Sequence, residues 1–187
     1  MKLTKFGPLG LILAASLVAA PAAAQVGQNT GLWVDISASA GSSRLTCDLC
    51  DTDRDLGGSI EYAFGAWAHP TLRVGVDLGF YTRSDNNARE TVYSSGVLAA
   101  AYPRPGSGLH LIGGLGWAGF RAEDFSYDAV RLRLGAGWDL PITTTWVAGN
   151  RITVDAASFG SLQNGDQTAV ESVGLSVVRF TLYIRRR

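Results

Sequence analysis

Residues 129–141 read AVRLRLGAGWDLP, and the direction in which their two faces point decides the fold. Val130, Leu132, Leu134, Ala136, Trp138 and Leu140 alternate with Arg131, Arg133, Gly135, Gly137 and Asp139. A period of two is that of a β-strand with one apolar and one polar face. In a soluble sheet the apolar face turns inward. In a barrel that crosses a bilayer it turns to lipid, and the arginines stand in the lumen.

The alternation recurs along the chain. Within 31–41, Leu32, Val34, Ile36 and Ala38 oppose Trp33, Asp35, Ser37 and Ser39. Within 58–68, Ile60, Tyr62, Phe64 and Ala66 oppose Ser59, Glu61, Ala63 and Gly65. Within 71–81, Leu72, Val74, Val76, Leu78 and Phe80 oppose Arg73, Gly75, Asp77, Gly79 and Tyr81. Further strands are read at 91–102, at 109–120 (glycine-rich, its facing open), at 145–159 and at 173–184. In 145–159, Ile152, Val154 and Ala156 face away from Arg151, Thr153 and Asp155. The phase of the last segment slips at Val177–Val178, which predicts a bulge or a shifted boundary.

The connections differ by end. Those after the second, fourth and sixth strands are compact (69–71, 103–108, 141–144) and hold Pro70, Pro103, Pro105 and Pro141, where a missing ladder donor does no harm. Those after the first, third, fifth and seventh (42–55, 82–90, 121–128, 160–168) are polar and mostly longer. Short turns at one end and polar loops at the other are the layout of an up-and-down membrane barrel.

Three features turn the apolar face to lipid. Glycines on the polar face (Gly75, Gly79, Gly135, Gly137) make room for large charged side chains in a narrow eight-strand interior. That face carries both signs, with Asp35, Glu61, Asp77, Asp139 and Asp155 against Arg73, Arg131, Arg133 and Arg151. Its cations are all arginine, whose planar fork suits buried pairs with carboxylates. The apolar face carries Tyr62, Phe80, Trp138, Trp146 and Phe180 near strand ends, as interfacial girdles would. The competing reading is a soluble lipocalin-like barrel carrying an apolar ligand, for which Gly31-Leu32-Trp33 offers a Gly-x-Trp match.

Of the 187 residues, the first 24 read as a secretory signal peptide: Lys2 and Lys5, an apolar run of about a dozen residues, then Ala22-Ala23-Ala24 before Gln25. Both lysines leave with it, so 16 basic against 16 acidic residues becomes a net charge of about −2. That balance does not favour a nucleic-acid partner. No later run of 18 or more apolar residues exists, so a membrane form of this chain is a barrel.

The segments GSSRLTCDLCDTDRD, AAAYPRPGSGLHLIGGLGWAGFRAED and LRLGAGWDLPI together resemble a family of small bacterial outer-membrane β-barrels, similar in form to the eight-stranded outer-membrane-protein-A-type barrels. The resemblance covers roughly residues 31–180 and implies fold and location, with no catalytic residues to carry over. One departure stands out. Such barrels usually end on an aromatic residue read by the barrel-assembly machinery, whereas here Arg185-Arg186-Arg187 follow Phe180 and Tyr183.

Cys47 and Cys50 are the only cysteines, and in an exported protein a disulfide is the first reading. A metal site with Asp48, Asp51, Asp53 or Asp55 lacks the second ligand pair that zinc sites carry. His69 and His110 map to the short-turn end, in a turn and at a strand start, away from the rim where a lipid-modifying enzyme would act.

These observations predict an all-β protein: an eight-stranded antiparallel up-and-down transmembrane β-barrel (25–187) after a cleaved signal peptide (1–24). Its address is the bacterial outer membrane and its role structural or interactive, with loops presented outside. No catalytic residue, cofactor or metal is assigned. The interior charge network comprises Asp35, Glu61, Arg73, Asp77, Arg131, Arg133, Asp139, Arg151 and Asp155. The expected partners are outer-membrane lipid, the assembly machinery and an unidentified extracellular ligand, with the barrel a monomer. A narrow channel for small solutes is the alternative.

Overall fold

A computed structural model describes residues 30–46, 54–85, 88–122, 125–164 and 167–187. It contains eight strands in chain order: β1 (Leu32–Thr46), β2 (Asp55–His69), β3 (Leu72–Asp85), β4 (Ala88–Ala101), β5 (Leu109–Ala122), β6 (Phe125–Pro141), β7 (Trp146–Asn164) and β8 (Gln167–Arg186). Each pairs antiparallel with its sequence neighbour, and β8 returns to β1 through the register Val34↔Arg186 to Thr46↔Gly174. The sheet is a closed barrel. Closure removes every edge, which a bilayer demands because lipid offers no hydrogen bonds to a free N–H or C=O.

The burial pattern fixes which way the two faces point. Arg131 and Arg133 are buried, whereas Leu132 and Leu134 are 46% and 58% exposed. Leu32, Ile36, Phe64, Phe80, Leu115 and Ile184 face outward on other strands, forming an apolar belt around a partly charged interior. A soluble barrel with an apolar cavity would show the reverse. Glycine-rich β5 falls into place by the same test: His110, Ile112, Ala118 and Phe120 are buried, and Leu111, Leu115 and Trp117 are exposed.

Two expectations need correction. No bulge occurs at Val177–Val178, although the boundary does shift, β8 beginning at Gln167 rather than at 173; β8 pairs continuously with β1 from Gly174 to Arg186 and with β7 from Leu175 to Arg186. The apparent slip arises because Val173, Leu175 and Val177 are buried in the lumen. Apolar residues therefore occupy both faces there, and polarity loses its period. The observed irregularities lie elsewhere, at Trp67/His69, at Tyr127/Val130 and between Ala157 and Gln163.

The second correction concerns the loops. Ladder pairing continues to Asp85↔Ala88, Ala122↔Phe125 and Asn164↔Gln167, so most of the polar segments at that end belong to strands. β6, β7 and β8 reach 17, 19 and 20 residues, against about 9–11 for a tilted bilayer crossing. Polar outward positions do not stop a strand once it has left the hydrocarbon, because its backbone bonds remain with its neighbours.

Candidate functional site

The lumen is packed in layers along the barrel axis. At mid-height lies a layer of charge built from six strands. Arg133 on β6 is its hub. Its Nη2 donates to Glu61 Oε1 on β2 at 2.7 Å, its Nε donates to Asp155 Oδ1 on β7 at 2.7 Å, and its Nη1 lies 3.3 Å from Asp77 Oδ2 on β3. Arg131 Nη2 donates to both oxygens of Asp77 at 2.8 Å. Arg151 on β7 donates to Glu61 Oε2 at 3.0 Å and to Ser37 Oγ on β1 at 2.9 Å. Arg179 on β8 pairs with Glu61 at 2.6 Å and with Asp155.

Glu61 thus collects three guanidinium groups from three strands, and each bond spans the lumen. Period-two geometry puts these side chains on one face, and glycine makes the space. A Cβ at Gly79 would stand 3.3 Å from Glu61 Cγ, and one at Gly96 2.8 Å from Arg131 Nη2. Pairs this deeply buried gain little net stability over an apolar core, but removing one partner costs about 3–5 kcal/mol by leaving a charge alone in low dielectric.

At the short-turn end a second polar group gathers on Asp139 of β6. Tyr102 donates to it at 2.9 Å, Tyr183 donates through its hydroxyl, and Arg185 pairs with it from β8. His110 is fully buried beside them, its Nδ1 3.6 Å from Asp139 Oδ1 and 3.1 Å from Gly108 O. Its place at a strand start thus puts it inside the lumen. Trp67, Tyr102 and His110 stack with centroids 5.3 and 5.2 Å apart. Trp33, Ala63, Ala100 and Ile112 complete the packing here.

Towards the loop end the lumen becomes apolar. Tyr81, Val92, Ala118, Phe120, Tyr127, Ala129, Ala157, Val173, Leu175 and Val177 form one buried cluster. Tyr127 satisfies its hydroxyl on Val173 O at 2.9 Å. Above it, at the rim, Arg83 pairs with Asp55 at 2.8 Å and with Glu90.

All nine members of the charge group read from the sequence are buried. Eight of them lie in the mid-height network, and Asp139 stands apart in the turn-end group. Sequence reading missed Arg179 and Arg185, which are buried and paired, and the tyrosines Tyr102 and Tyr183. The alternation of Arg179, Thr181, Tyr183 and Arg185 with Phe180, Leu182 and Ile184 carries the missing signal once the phase is counted from the C-terminal side. Cys47, Cys50, Asp48, Asp51 and Asp53 lie outside the described residues, as does the segment 1–24. His69 is exposed in the β2–β3 turn, bonded to Thr71 Oγ1 at 2.8 Å.

Solved structures give the same architecture. Neisserial surface protein A superposes with a TM-score of 0.56 at 16% identity, covering 82% of this chain and 96% of that one. The attachment invasion locus protein of Yersinia pestis superposes with a TM-score of 0.51 at 14% identity, covering 82% and 97%. At these identities the likeness is one of fold. No curated protein sequence matches. The outer membrane protein beta-barrel domain family matches residues 10–179, nearly the whole chain. With apolar residues turned to lipid, charge turned inward and eight strands closed on themselves, this chain belongs to the outer membrane protein beta-barrel domain family and is an integral β-barrel of the bacterial outer membrane.

Proposed function

We propose that the protein is a closed membrane anchor, without catalytic or conducting function, whose strands carry an interaction surface above the outer leaflet. One observation carries this reading: the lumen is filled twice over, by the charge network around Glu61 and Arg133 and by the apolar cluster around Phe120 and Leu175. Eight strands leave an interior just wide enough for side chains, whereas open aqueous pores use about 16. The long β6, β7 and β8 then serve as a paired, rigid mount above the bilayer rather than as a pore wall. Planar-bilayer recording of the refolded chain tests the proposal. A flat baseline is expected, and discrete, stable open steps would replace the anchor with the narrow channel.

The route to the membrane belongs to the same proposal. Residues 1–24 act as a cleaved export signal, the assembly machinery inserts a monomer, and Cys47–Cys50 oxidise to a disulfide after export. N-terminal sequencing of outer-membrane material should begin at Gln25, and a thiol-reactive label should enter only after reduction.

A further inference from the structure

The buried charges do not balance. Among the described residues the lumen holds Arg73, Arg131, Arg133, Arg151, Arg179 and Arg185 against Asp35, Glu61, Asp77, Asp139 and Asp155, all at most 7% exposed. One positive charge is in excess. Arginine does not shed its proton to relieve this, and protonation of His110 would only add to the surplus. The rim carboxylates Asp55 and Glu90 engage Arg83 on the far side of the apolar cluster.

The excess can be located. Arg131, Arg133, Arg151, Arg179 and Arg185 each make at least one carboxylate contact of 3.0 Å or less. Arg73 makes none. Its nearest carboxylate is Asp35 Oδ2 at 3.8 Å, and that oxygen also faces Arg151 at 3.4 Å. Arg73 is 2% exposed, its guanidinium lies 5.0 Å from the Trp33 ring centroid, and its Nε and Nη1 have no protein hydrogen-bond partner among the described residues.

A small cavity adjoins it. About 10 Å³ in volume, it is lined by Trp33, Asp35, Arg73, Arg133, Arg151 and Thr153, together with apolar neighbours. Four of those residues also own buried polar atoms without a protein partner among the described residues: Trp33 Nε1, Arg73 Nε and Nη1, Arg151 Nε and Thr153 Oγ1. Each carries a hydrogen to donate. Unpaired donors beside a surplus cation suit a small anion, and a cavity of this size leaves no room for a phosphate or a carboxylate.

We infer that the lumen binds one halide-class monovalent anion between Arg73, Trp33 and Thr153. The ion would neutralise the surplus charge and accept hydrogen bonds that protein atoms leave unmade, removing the cost of a lone buried cation. A ligand that binds only the folded barrel raises its stability with concentration. The bulky gluconate ion cannot enter, so it serves as the control anion.

The test is urea unfolding of the full chain, refolded in detergent micelles, in sodium bromide against sodium gluconate at equal ionic strength. The expected result is a higher midpoint in bromide for the wild type, no difference for Arg73→Met, and a reduced difference for Thr153→Val. If Arg73→Met does not fold, the Thr153→Val comparison decides. Equal wild-type midpoints in the two salts, or a bromide effect that both variants retain in full, would overturn the inference. Crystals grown in bromide provide a second readout: an anomalous peak beside Arg73 supports the site, and a peak with no anomalous signal makes the guest a water and defeats it.

Discussion

The two halves of the lumen are filled by opposite chemistries. Around Glu61, stability depends on partners: every side chain is costly alone and tolerable only in company. Around Phe120 and Leu175, stability depends on volume, and each side chain contributes through the area it hides and the gap it would leave. The first arrangement fixes which strand faces which, because a guanidinium and a carboxylate must meet at set distances. The second closes the barrel toward the loop end without requiring any register. A lumen of charge alone would draw water along its axis, and one of apolar residues alone would leave little to tell the lumenal face from the lipid face.

The comparison can be broken most forcefully at Glu61. Glu61→Leu strands Arg133, Arg151 and Arg179 together and should cost about 3–5 kcal/mol, with loss of the heat-dependent gel shift that marks a closed barrel. Arg133→Leu removes the hub of the same layer and should fall in that range. Phe120→Ala in the apolar layer should cost about 3 kcal/mol through its cavity and leave the gel shift in place. Among the described residues Glu61 and Phe120 share no hydrogen-bond or ion-pair partner, so Glu61→Gln combined with Phe120→Ala should be additive to within about 0.5 kcal/mol in urea unfolding. A larger coupling would merge the layers into one unit. At the turn end, Asp139→Asn keeps acceptors for Tyr102 and Tyr183 but strands Arg185, for about 2 kcal/mol. Smallest of all, Arg121→Leu loses an exposed pair with Asp128 (44% and 39% exposed) and should cost less than about 1 kcal/mol. Equal midpoints for Arg121→Leu and Arg133→Leu would contradict the inward placement of Arg133.

How far the lumen could be read in advance follows the same divide. In the charged half the inward residues differ in polarity from their outward neighbours, and the period of two is plain: Arg131 and Arg133 against Leu132 and Leu134. In the apolar half they do not, and Val177 beside Val178 looked like a slipped register although the pairing at those two residues is regular. That false slip also hid Arg179 and Arg185, the two β8 arginines that tie the last strand to Asp155 and Asp139. His110 escaped for a different reason. One residue at a strand start has no periodic context, and only the ring of Tyr102, Asp139 and Tyr183 around it shows that it lies inside.

Alternation, glycine placement, an all-arginine set of cations beyond residue 24 and the asymmetry of the connections were enough to determine a barrel and turn it the right way out. Each of these is local, and a β-strand converts local sequence into facing through a fixed period. Which charges meet could not be decided that way. Glu61 and Arg133 are 72 residues apart, and Asp35 and Arg151 are 116 apart. Their meeting depends on closure and strand stagger, which no single strand encodes. The same holds for the unequal count that leaves Arg73 without a close carboxylate. A surplus charge has a position only once every other charge has found its partner across the lumen.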